Sequence, residues 1–538
     1  MTQTIGEALV RRLEAHGVDT IFGIPGVHTV ELYRGLAASP IRHVTPRHEQ
    51  GAGFMADGYA RASGKPGVAL VITGPGLTNT LTPMAQARAD SVPMLVVSGV
   101  NVLSSLGKGL GHLHELPNQS ALAATVALDS TRVTTADSLA GVVDRAFARM
   151  AEGRPGPTHI EVPLDVAGQA HDSPMLAPPA SCPPMASLDQ ITAAADLLRH
   201  AERLVILVGG GATAAAEDIR KLAERLDAPV VLTTNARGHM HGHPLVIPAS
   251  PSLPPVRQLI EGADCVLAIA TELGQTDYDM EFTGALPKFP NLIRMDICAE
   301  QLDRHPADLA LHGAASTGVA ALLVALEDHD AEGQGGAKLA RDTREQAFAS
   351  LTAKQQTHVG FLDAARDVLP NALMVGDSTQ LIYAGNLYYD HDRPGGWFNA
   401  ATGYGALGYG IPAAIGAALA CPETRVLCIT GDGGAQFVLP ELMTAVDEKL
   451  PVIFLVWNNC GYGEIASAME DAEVEVIGCD PTPPDFEKAA ASCGIPYALS
   501  AEEPTVLAET LRIAADIQGP SMIEIRTAKM TRKTEPSQ

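Results

Sequence analysis

Short apolar runs separated by segments of helical spacing recur along the chain, and they are clearest in its C-terminal third. One apolar run, Arg425–Ile429, ends at a glycine-rich cluster, and a second, Val452–Trp457, ends at two asparagines. Between them, apolar residues from Leu439 to Val446 recur at helical spacing. This pattern predicts a strand, a helix and a parallel strand, so that the polar clusters after both strands meet at one edge of a sheet.

The same alternation of strands and helices restarts twice and divides the chain into three parts. Two of these parts span residues 1–172 and 187–327, and the third spans 339–530. The proline-rich stretch Ser173–Pro184 and the Gly-, Asp- and Glu-rich stretch Asp328–Lys338 separate them. We therefore predict an α/β protein with three doubly wound parallel-sheet domains, as expected for 538 residues at about one domain per 150.

Individual runs predict the positions of the elements. The other runs that we interpret as buried strands are Ile41–Thr45, Val68–Thr73, Met94–Ser98, Arg203–Val208, Pro229–Thr233, Cys265–Ala270, Leu292–Asp296 and Ala372–Val375. The run Trp397–Thr402 is a poor candidate for a buried strand. The pattern predicts helices that include Gly51–Ser63, Ala214–Leu226 and Ile411–Ala420.

The amino-acid composition argues against some classes of partner and indicates a cellular compartment. A net charge of −25 argues against nucleic acid and anionic membranes as partners, because both would repel the protein. Eight cysteines without a CxxC pair predict reduced thiols in a cytosolic protein. The N-terminal segment predicts an amphipathic helix with a Thr4/Glu7 capping box rather than a signal peptide. No apolar run reaches the length of a membrane span.

The two polar clusters of the C-terminal third suggest a site for a metal-bound diphosphate. Glycines 431, 433 and 434 allow backbone N–H groups to approach an anion at a helix start. Asp432 supplies a carboxylate and Asn459 an amide oxygen, which together with diphosphate oxygens, a water and a backbone carbonyl can complete six oxygens around Mg²⁺. Either cluster alone is also ordinary turn chemistry.

The spacing of these clusters, with 24 residues between Gly433 and Asn458, resembles the thiamin-diphosphate-binding motif. With three α/β domains in this order, essentially the whole chain resembles the thiamin-diphosphate decarboxylase and acetolactate synthase superfamily. The resemblance implies a first domain that holds the pyrimidine, a middle domain and a third domain that holds the diphosphate. It also implies active sites between subunits, hence a homodimer or homotetramer in which a lone chain is inactive.

Glu49 is the predicted catalytic acid. A glutamate before a helix is normally only a favourable N-terminal charge. Here the surrounding RHEQGAGFMADGYAR resembles the family stretch whose glutamate pairs with the aminopyrimidine ring. Protonation of that ring makes its exocyclic amine acidic, and the imino form then removes the proton from the thiazolium carbon. General acid–base help of this kind contributes roughly 10²–10⁴-fold to the rate.

Glycines 403, 405 and 408 form a GxGxxG pattern that also occurs in dinucleotide-binding proteins. The preceding segment is a poor strand, so the pattern alone is weak, and close backbone packing before a helix explains it equally well. The family resemblance implies that Gly405 offers its carbonyl to the aminopyrimidine. It also implies that Leu407 holds the cofactor in its bent form, although a core leucine is the ordinary interpretation.

Other positions match cofactor-binding loops of the family. Asp377, Ser378, Thr379 and Gln380 follow a predicted strand and resemble a diphosphate loop, with a solvated turn as the alternative. Gly461 matches the position whose carbonyl completes the metal shell. The first-domain residues that match loops around the pyrimidine are Pro25, Gly26, Thr73 and Gly76.

Three histidines are candidates for proton transfer, because histidine titrates near neutral pH. His112 and His114 lie in a loop where decarboxylases of this family keep proton-handling histidines, and His28 follows the Pro25–Gly26 turn. With 17 histidines in the chain, chance placement is the alternative.

Within the superfamily, the middle part departs from the acetolactate synthase pattern. The stretch Thr271–Asp279 lacks the arginine and paired aspartates of the flavin-binding segment, and three glycines at 209–211 alone are a weak indicator, so FAD is not expected. Gly23–Gly35, Gly111–Gln119 and Pro481–Phe486 instead resemble decarboxylases of 5-guanidino-2-oxopentanoate (2-ketoarginine).

A substrate with a guanidinium tail needs carboxylate partners. Glu115 and Glu464 are the predicted partners, and Asp277 or Asp279 are alternatives. The expected reaction is non-oxidative decarboxylation of a 2-oxo acid. The alternatives are an acetolactate synthase-type carboligase, a nicotinamide-dependent oxidoreductase that uses the GxGxxG, and a catalytically silent paralogue.

Overall fold

A computed structural model describes residues 3–172, 176–280, 283–331 and 335–527. Within these residues the chain forms three parallel six-stranded sheets flanked by helices, and one antiparallel pair of strands. The predicted α/β class with three doubly wound sheets is confirmed. The predicted domain boundaries stay predictions. Residues 173–175 of the linker Ser173–Pro184, 332–334 of the stretch Asp328–Lys338 and 528–530 of the third part lie outside the described residues.

The first sheet comes from the N-terminal part. The strands of this part are Gln3–Thr4 (β1), Thr20–Gly23 (β2), Arg42–Val44 (β3), Gly67–Val71 (β4), Met94–Val100 (β5), Asp129–Arg132 (β6), Pro157–Pro163 (β7) and Ala170–His171 (β8). Strands β2 to β7 form the sheet, and β1 pairs with β8 as the separate antiparallel pair. Its helices are Ile5–Ala15 (α1), Val30–Ala37 (α2), Glu49–Ser63 (α3), Pro75–Ala89 (α4), Gln119–Ala124 (α5), Ser138–Ala151 (α6) and Leu164–Ala167 (α7). The order is β3-β2-β4-β5-β7-β6. The predicted Thr4/Glu7 capping box is present at α1.

The middle sheet has one core of its own and shares a second with residues of the third part, among them Ala340 and Val359. Its strands are Leu204–Val208 (β9), Val230–Leu232 (β10), Val246–Ile247 (β11), Cys265–Ile269 (β12), Leu292–Asp296 (β13) and Leu309–His312 (β14). Its helices are Leu188–His200 (α8), Ala216–Leu226 (α9), Pro254–Glu261 (α10), Gln275–Tyr278 (α11), Ala299–Arg304 (α12) and Ala315–Ala325 (α13). The helix predicted from Ala214 starts at Ala216, after a 3₁₀ turn over Gly210–Ala215.

The third sheet carries the polar clusters. Its strands are Leu373–Gly376 (β15), Trp397–Asn399 (β16), Val426–Gly431 (β17), Val452–Asn458 (β18), Tyr497–Ser500 (β19) and Ser521–Arg526 (β20). The helices are Gly336–Ser350 (α14), Ala353–Val368 (α15), Gln380–Leu387 (α16), Gly410–Ala420 (α17), Asp432–Gln436 (α18), Leu442–Asp447 (α19), Gly463–Asp471 (α20), Phe486–Ser492 (α21) and Pro504–Ala515 (α22). The order is β16-β15-β17-β18-β20-β19.

One prediction for this part was wrong. Trp397–Asn399 is a buried edge strand, since the indole of Trp397 packs on Tyr389 with ring centroids 4.8 Å apart. The helix predicted across Leu439–Val446 begins with a 3₁₀ turn, Leu439–Glu441, and continues as α19. Pro440 lies in this first turn, where its missing N–H costs no helical hydrogen bond.

The first and third sheets share one hydrophobic core through α3 and α17. The two helices approach closely because each has a glycine at the contact. A side chain at Gly58 would collide with the carbonyl of Ala413, and one at Gly416 would collide with that of Met55. Among the described residues, no helix combines the length and the apolar composition needed to cross a bilayer.

Candidate active site

The segments after four neighbouring strands of the third sheet enclose one cavity. β16, β15, β17 and β18 are adjacent and parallel, so the segments that follow them meet at the same edge. The cavity has a volume of about 370 Å³, and its lining includes Ser378, Thr379, Gln380, Gly405, Leu407, Asp432, Gly433, Gly434, Asn459, Gly461 and Glu464. The structure therefore brings the predicted third-domain residues together, apart from Asp377, which does not line the cavity.

Two acceptor oxygens in this cavity have no hydrogen-bond partner. Asp432 is 1% exposed, and its Oδ1 accepts a hydrogen bond of 3.2 Å from the backbone N–H of Asn459. Its Oδ2 and the Oδ1 of Asn459 are buried and unpartnered. Burial raises the pKa of Asp432, although backbone N–H groups oppose the shift. Unpaired buried oxygens of this kind are costly unless a cation neutralises them, so the pair fits a hard cation such as Mg²⁺.

The glycines around the cavity are required by close contacts. A Cβ on Gly433 would lie 2.6 Å from Cε1 of Tyr462, and one on Gly434 would lie 2.9 Å from Cγ of Asp377. A Cβ on Gly461 would collide with the carbonyl of Cys479. Backbone N–H groups at these positions can therefore face a ligand without an intervening side chain, as a diphosphate needs.

Gln380 connects two other residues of the cavity. Its Oε1 accepts a hydrogen bond of 3.2 Å from Nε1 of Trp457, and its Nε2 donates one of 3.0 Å to Oε1 of Glu464. Both ends of the amide are thus engaged within the protein. This arrangement holds the Glu464 carboxylate at the cavity wall.

The GxGxxG glycines form a turn between β16 and α17. Gly405 and Gly408 have φ of +76° and +81°, and a Cβ on Gly408 would lie 2.8 Å from Cβ of Phe437. The turn places Gly405 and Leu407 in the cavity. The glycines of the GxGxxG pattern therefore allow the backbone to make this turn at the cavity.

The first sheet also has predicted site residues at the carboxyl ends of its strands. Glu49, the first residue of α3, follows β3, the Pro25–Gly26 turn follows β2, and Thr73 and Gly76 follow β4. These three strands are neighbours, so the predicted first-domain residues lie along one edge. Within the single chain, Glu49 does not line the third-domain cavity.

Two contacts that the sequence did not indicate position Glu49. Nδ2 of Asn79, on α4, donates a hydrogen bond of 2.9 Å to Oε2 of Glu49. The buried carboxylate of Glu441 accepts hydrogen bonds of 3.0 Å from the backbone N–H groups of Arg47 and His48. Residues of the same chain's third part thus fix the segment before Glu49. Only the folded structure reveals either contact, because the partners are distant in sequence.

Two of the three candidate histidines, His28 and His114, lie next to each other, and His112 lies apart from them. The rings of His28 and His114 lie 5.2 Å apart, and Nδ1 of each is buried without a partner, as is Oγ1 of the neighbouring Thr73. Burial, followed by the charge of His114, lowers the pKa of His28. His112 is exposed and takes no part in this contact.

The loop that carries His114 is held by Glu115. The Glu115 carboxylate accepts hydrogen bonds from the backbone N–H groups of Leu110, Gly111 and His112 at 2.7 to 3.2 Å. Desolvation raises the pKa of Glu115, but these amides outweigh it and lower the pKa. Its oxygens are thus engaged by its own loop.

The middle-domain acids also have partners within the protein. Asp277 is half-buried and accepts a hydrogen bond of 2.9 Å from the N–H of Thr234. The Asp279 carboxylate accepts three from Thr283 and Gly284, and the Thr283 hydroxyl is the main reason that its pKa falls to about 2. Neither acid lines the third-domain cavity. The glycines 209–211 face a separate cavity of about 500 Å³.

Three family descriptions match the chain in the order of its three sheets. Residues 3–122 match the N-terminal TPP binding domain of thiamine pyrophosphate enzymes, 191–322 match the central domain, and 377–525 match the C-terminal TPP binding domain. The chain belongs to the thiamine pyrophosphate enzyme family, and the resemblance drawn from the motifs is confirmed. Thiamin diphosphate (thiamine pyrophosphate, TPP) is the cofactor of the matched terminal domains.

Within the family, the chain is similar to proteins named as two kinds of enzyme, a decarboxylase and acetolactate synthases. The chain is 43% identical to the "Probable 2-ketoarginine decarboxylase AruI" of Pseudomonas aeruginosa, over 98% of this chain and 94% of that protein. It is 32% identical to the large subunit of acetolactate synthase isozyme 1 of Escherichia coli, over 86% of this chain and 82% of that protein. An acetolactate synthase of Mycobacterium bovis is 31% identical over 91% of this chain and 82% of its own length.

Proposed function

We propose that this chain catalyses the thiamin-diphosphate- and Mg²⁺-dependent decarboxylation of 2-ketoarginine to 4-guanidinobutanal and CO₂. The cofactor, when bound, supplies the electron sink for cleavage of the carbon–carbon bond. The single observation that carries the proposal is the cavity of the third sheet, where glycine backbone and two unpartnered oxygens converge. The identity of 43% to a protein named as a 2-ketoarginine decarboxylase supports this substrate over pyruvate.

The cavity residues take complementary roles in this proposal. Asp432, Asn459 and the carbonyl of Gly461 hold Mg²⁺, and the backbone of Gly433 and Gly434 faces the diphosphate. Ser378, Thr379 and Gln380 close the diphosphate side, with Gln380 acting through Trp457 and Glu464. Gly405 and Leu407 contact the pyrimidine side of the cofactor.

Glu49 of one chain completes the cavity of a second chain in this proposal. Glu49 does not line the cavity of its own chain, which supports an active site between two copies. Pro25, Gly26, Thr73 and Gly76 lie on the same first-sheet edge and approach the pyrimidine with it. The assembly is therefore a homodimer or a homotetramer. Eight free thiols support a cytosolic location.

The reaction needs a proton donor, because conversion of R–CO–COO⁻ to R–CHO and CO₂ consumes one proton. His114 is the proposed donor, and His28 is its neighbour on the same sheet edge, with rings 5.2 Å apart. His112 is exposed, so the proposal gives it no direct role.

Glu464 is the proposed partner of the guanidinium tail. It lies in the cavity, and its Oε1 accepts a hydrogen bond from the neutral amide of Gln380. Glu115 is a weaker candidate, because three amides of its own loop occupy its oxygens. Asp277 and Asp279 also have partners within the middle part.

FAD is not part of the proposal. The cavity beside glycines 209–211 contains two arginines, and both are engaged: Arg61 pairs with Asp57 and Asp90, and Arg154 pairs with Glu272. Carboxylates at this cavity disfavour the diphosphate of a flavin nucleotide.

A steady-state assay with several 2-oxo acids tests the function. Enzyme loaded with thiamin diphosphate and Mg²⁺ should release CO₂ from 2-ketoarginine at least about tenfold faster, in kcat/KM, than from pyruvate, as an added ion pair in the binding site predicts. Glu464→Gln should remove most of this preference while leaving turnover of pyruvate. Equal rates, or acetolactate as the main product from pyruvate, would support the carboligase instead.

A further inference from the structure

A buried carboxylate lies directly behind the cofactor cavity. Asp377 follows β15, is 0% exposed and does not line the cavity itself. Its Oδ1 accepts a hydrogen bond of 2.8 Å from the N–H of Ser378. Its Oδ2 accepts two hydrogen bonds, one of 3.0 Å from the N–H of Gly408 and one of 3.1 Å from the N–H of Gly410. These three amides belong to two different segments of the cavity wall.

A third segment of the wall also contacts this carboxylate. A Cβ on Gly434 would lie 2.9 Å from both Cγ and Oδ2 of Asp377, so the start of α18 rests against it. Leu407, which faces the cavity, immediately precedes Gly408. One side chain thus fixes the loops after β15 and β16 and the start of α18 relative to one another.

Three titratable groups lie near Asp377. They are the Cys428 thiol of β17, the Tyr383 phenol of α16 and Tyr409, whose hydroxyl donates to Asp57. Burial raises the pKa of Asp377 to about 6, while its backbone hydrogen bonds oppose the shift. The negative charge is therefore lost as the pH falls through about 6, and a protonated carboxyl accepts fewer amide hydrogen bonds.

We propose that Asp377 is a positioning residue, whose charged carboxylate holds the turn with Gly405 and Leu407 in the geometry that binds thiamin diphosphate. The proposal concerns the cofactor of the family and is independent of the choice of 2-oxo acid. Asp377→Asn conserves the shape but replaces one acceptor oxygen by an N–H₂ group, which then faces a backbone donor. Loss of one or two amide contacts to a charged acceptor predicts that thiamin diphosphate binds about ten- to a hundredfold more weakly.

Cofactor binding can be measured without substrate. The chain has two tryptophans, and Trp457 lines the cavity, so quenching of intrinsic fluorescence reports binding of thiamin diphosphate in the presence of Mg²⁺. Asp363→Asn is a matched control, because Asp363 is a carboxylate of α15 that pairs with Arg366 and does not line this cavity. Its affinity for the cofactor should equal that of the wild type.

The pH dependence separates positioning by charge from loss of structure. The ratio of the dissociation constants of Asp377→Asn and the wild type should be largest above pH 7 and should approach one near pH 5, where the wild-type carboxyl is neutral. Because the ratio is used, titration of the cofactor phosphates cancels. Wild-type affinity in the variant, or a ratio that is constant between pH 5 and 8, would overturn the proposal.

Hydrogen exchange in the wild type provides a test that does not depend on folding of the variant. The amides of Gly408 and Gly410 should be protected in the protein without cofactor, because Asp377 accepts both hydrogen bonds. Exchange of these two amides at the rate of free peptide would also overturn the proposal.

Discussion

Asp432 illustrates how a functional side chain can reduce the stability of the protein without its ligand. Its Oδ2 is buried without a partner and burial raises its pKa, so the charged form is unfavourable in the absence of a cation. Sites of this kind trade stability for function. The same residue should therefore have opposite effects on folding and on cofactor binding.

Asp432→Asn should bind thiamin diphosphate with Mg²⁺ at least about a hundredfold more weakly, because a charged metal ligand is lost. Without cofactor, the variant should unfold at the same temperature as the wild type or a higher one, because the amide carries no buried charge. Differential scanning calorimetry with and without cofactor measures both effects. A variant that is less stable without cofactor and binds it normally would contradict this account.

The pair His28 and His114 makes a second prediction at this scale. The charge of His114 is one cause of the lowered pKa of His28, so His114→Gln should raise the pKa of His28 toward its ordinary value. NMR titration of the imidazole Cε1–H signals measures the shift. His112→Gln is the control, since His112 is exposed and should leave His28 unchanged. An equal titration of His28 in both variants would show that the rings are not coupled.

At the residue scale, motif spacing predicted which residues share a site, but it did not predict the contacts that position them. Asp432 and Asn459 could be paired from the sequence because they follow two neighbouring parallel strands. The contact of His28 with His114 depends on a loop with three left-handed glycines, and its path is not visible in the sequence. The sequence does not distinguish an acid that binds substrate from one that accepts hydrogen bonds within its own loop, as the Glu115 carboxylate does.

At the scale of elements, the decisive contact is that of α3 with α17. Helical spacing predicted both helices, but nothing in the spacing indicated that they pack on each other, since they are about 350 residues apart. Gly58 and Gly416 are the physical reason for the close approach. The misjudged strand at Trp397–Asn399 has a related cause, because its burial comes from neighbours distant in sequence.

Gly58→Ala tests this contact. The added methyl group would collide with the backbone of Ala413, so the variant should lose at least about 1–3 kcal/mol of free energy of unfolding. Gly141→Ala in α6 is the matched control, because a Cβ there meets nothing within 4 Å. It should gain about 0.5–1 kcal/mol through helix propensity. Urea denaturation of both variants gives the comparison, and equal effects would refute the packing argument.

At the scale of the whole molecule, the predicted site residues of the first and third sheets do not line one cavity within a single chain. The cavity of the third sheet lacks Glu49, and Glu49 follows β3 of the first sheet. The sequence predicted both edges, but no sequence pattern states which copy of the chain brings them together.

Mixing two inactive variants tests the proposed assembly. Glu49→Gln and Asp432→Asn should each lose most activity, roughly 10²-fold or more for Glu49→Gln. A mixed dimer contains one site with Glu49 from one chain and Asp432 from the other. Subunit exchange should then restore about a quarter of wild-type activity, because half of the dimers are mixed and each has one intact site. An inactive mixture after proven exchange would place both residues in the same chain's site.

The shared core of α3 and α17 also decides how the polypeptide can be divided. A fragment that ends before the middle sheet would leave Phe54 and Met55 facing water, and such an apolar surface promotes aggregation. The segment around β9–β14 has one cluster of its own, from Ile191 to Leu326, but the other face of its sheet shares a buried cluster with Ala340, Ala347 and Val359 of the third part. Cutting the polypeptide at either linker should thus expose apolar surface, so that all three portions have to be expressed in one piece.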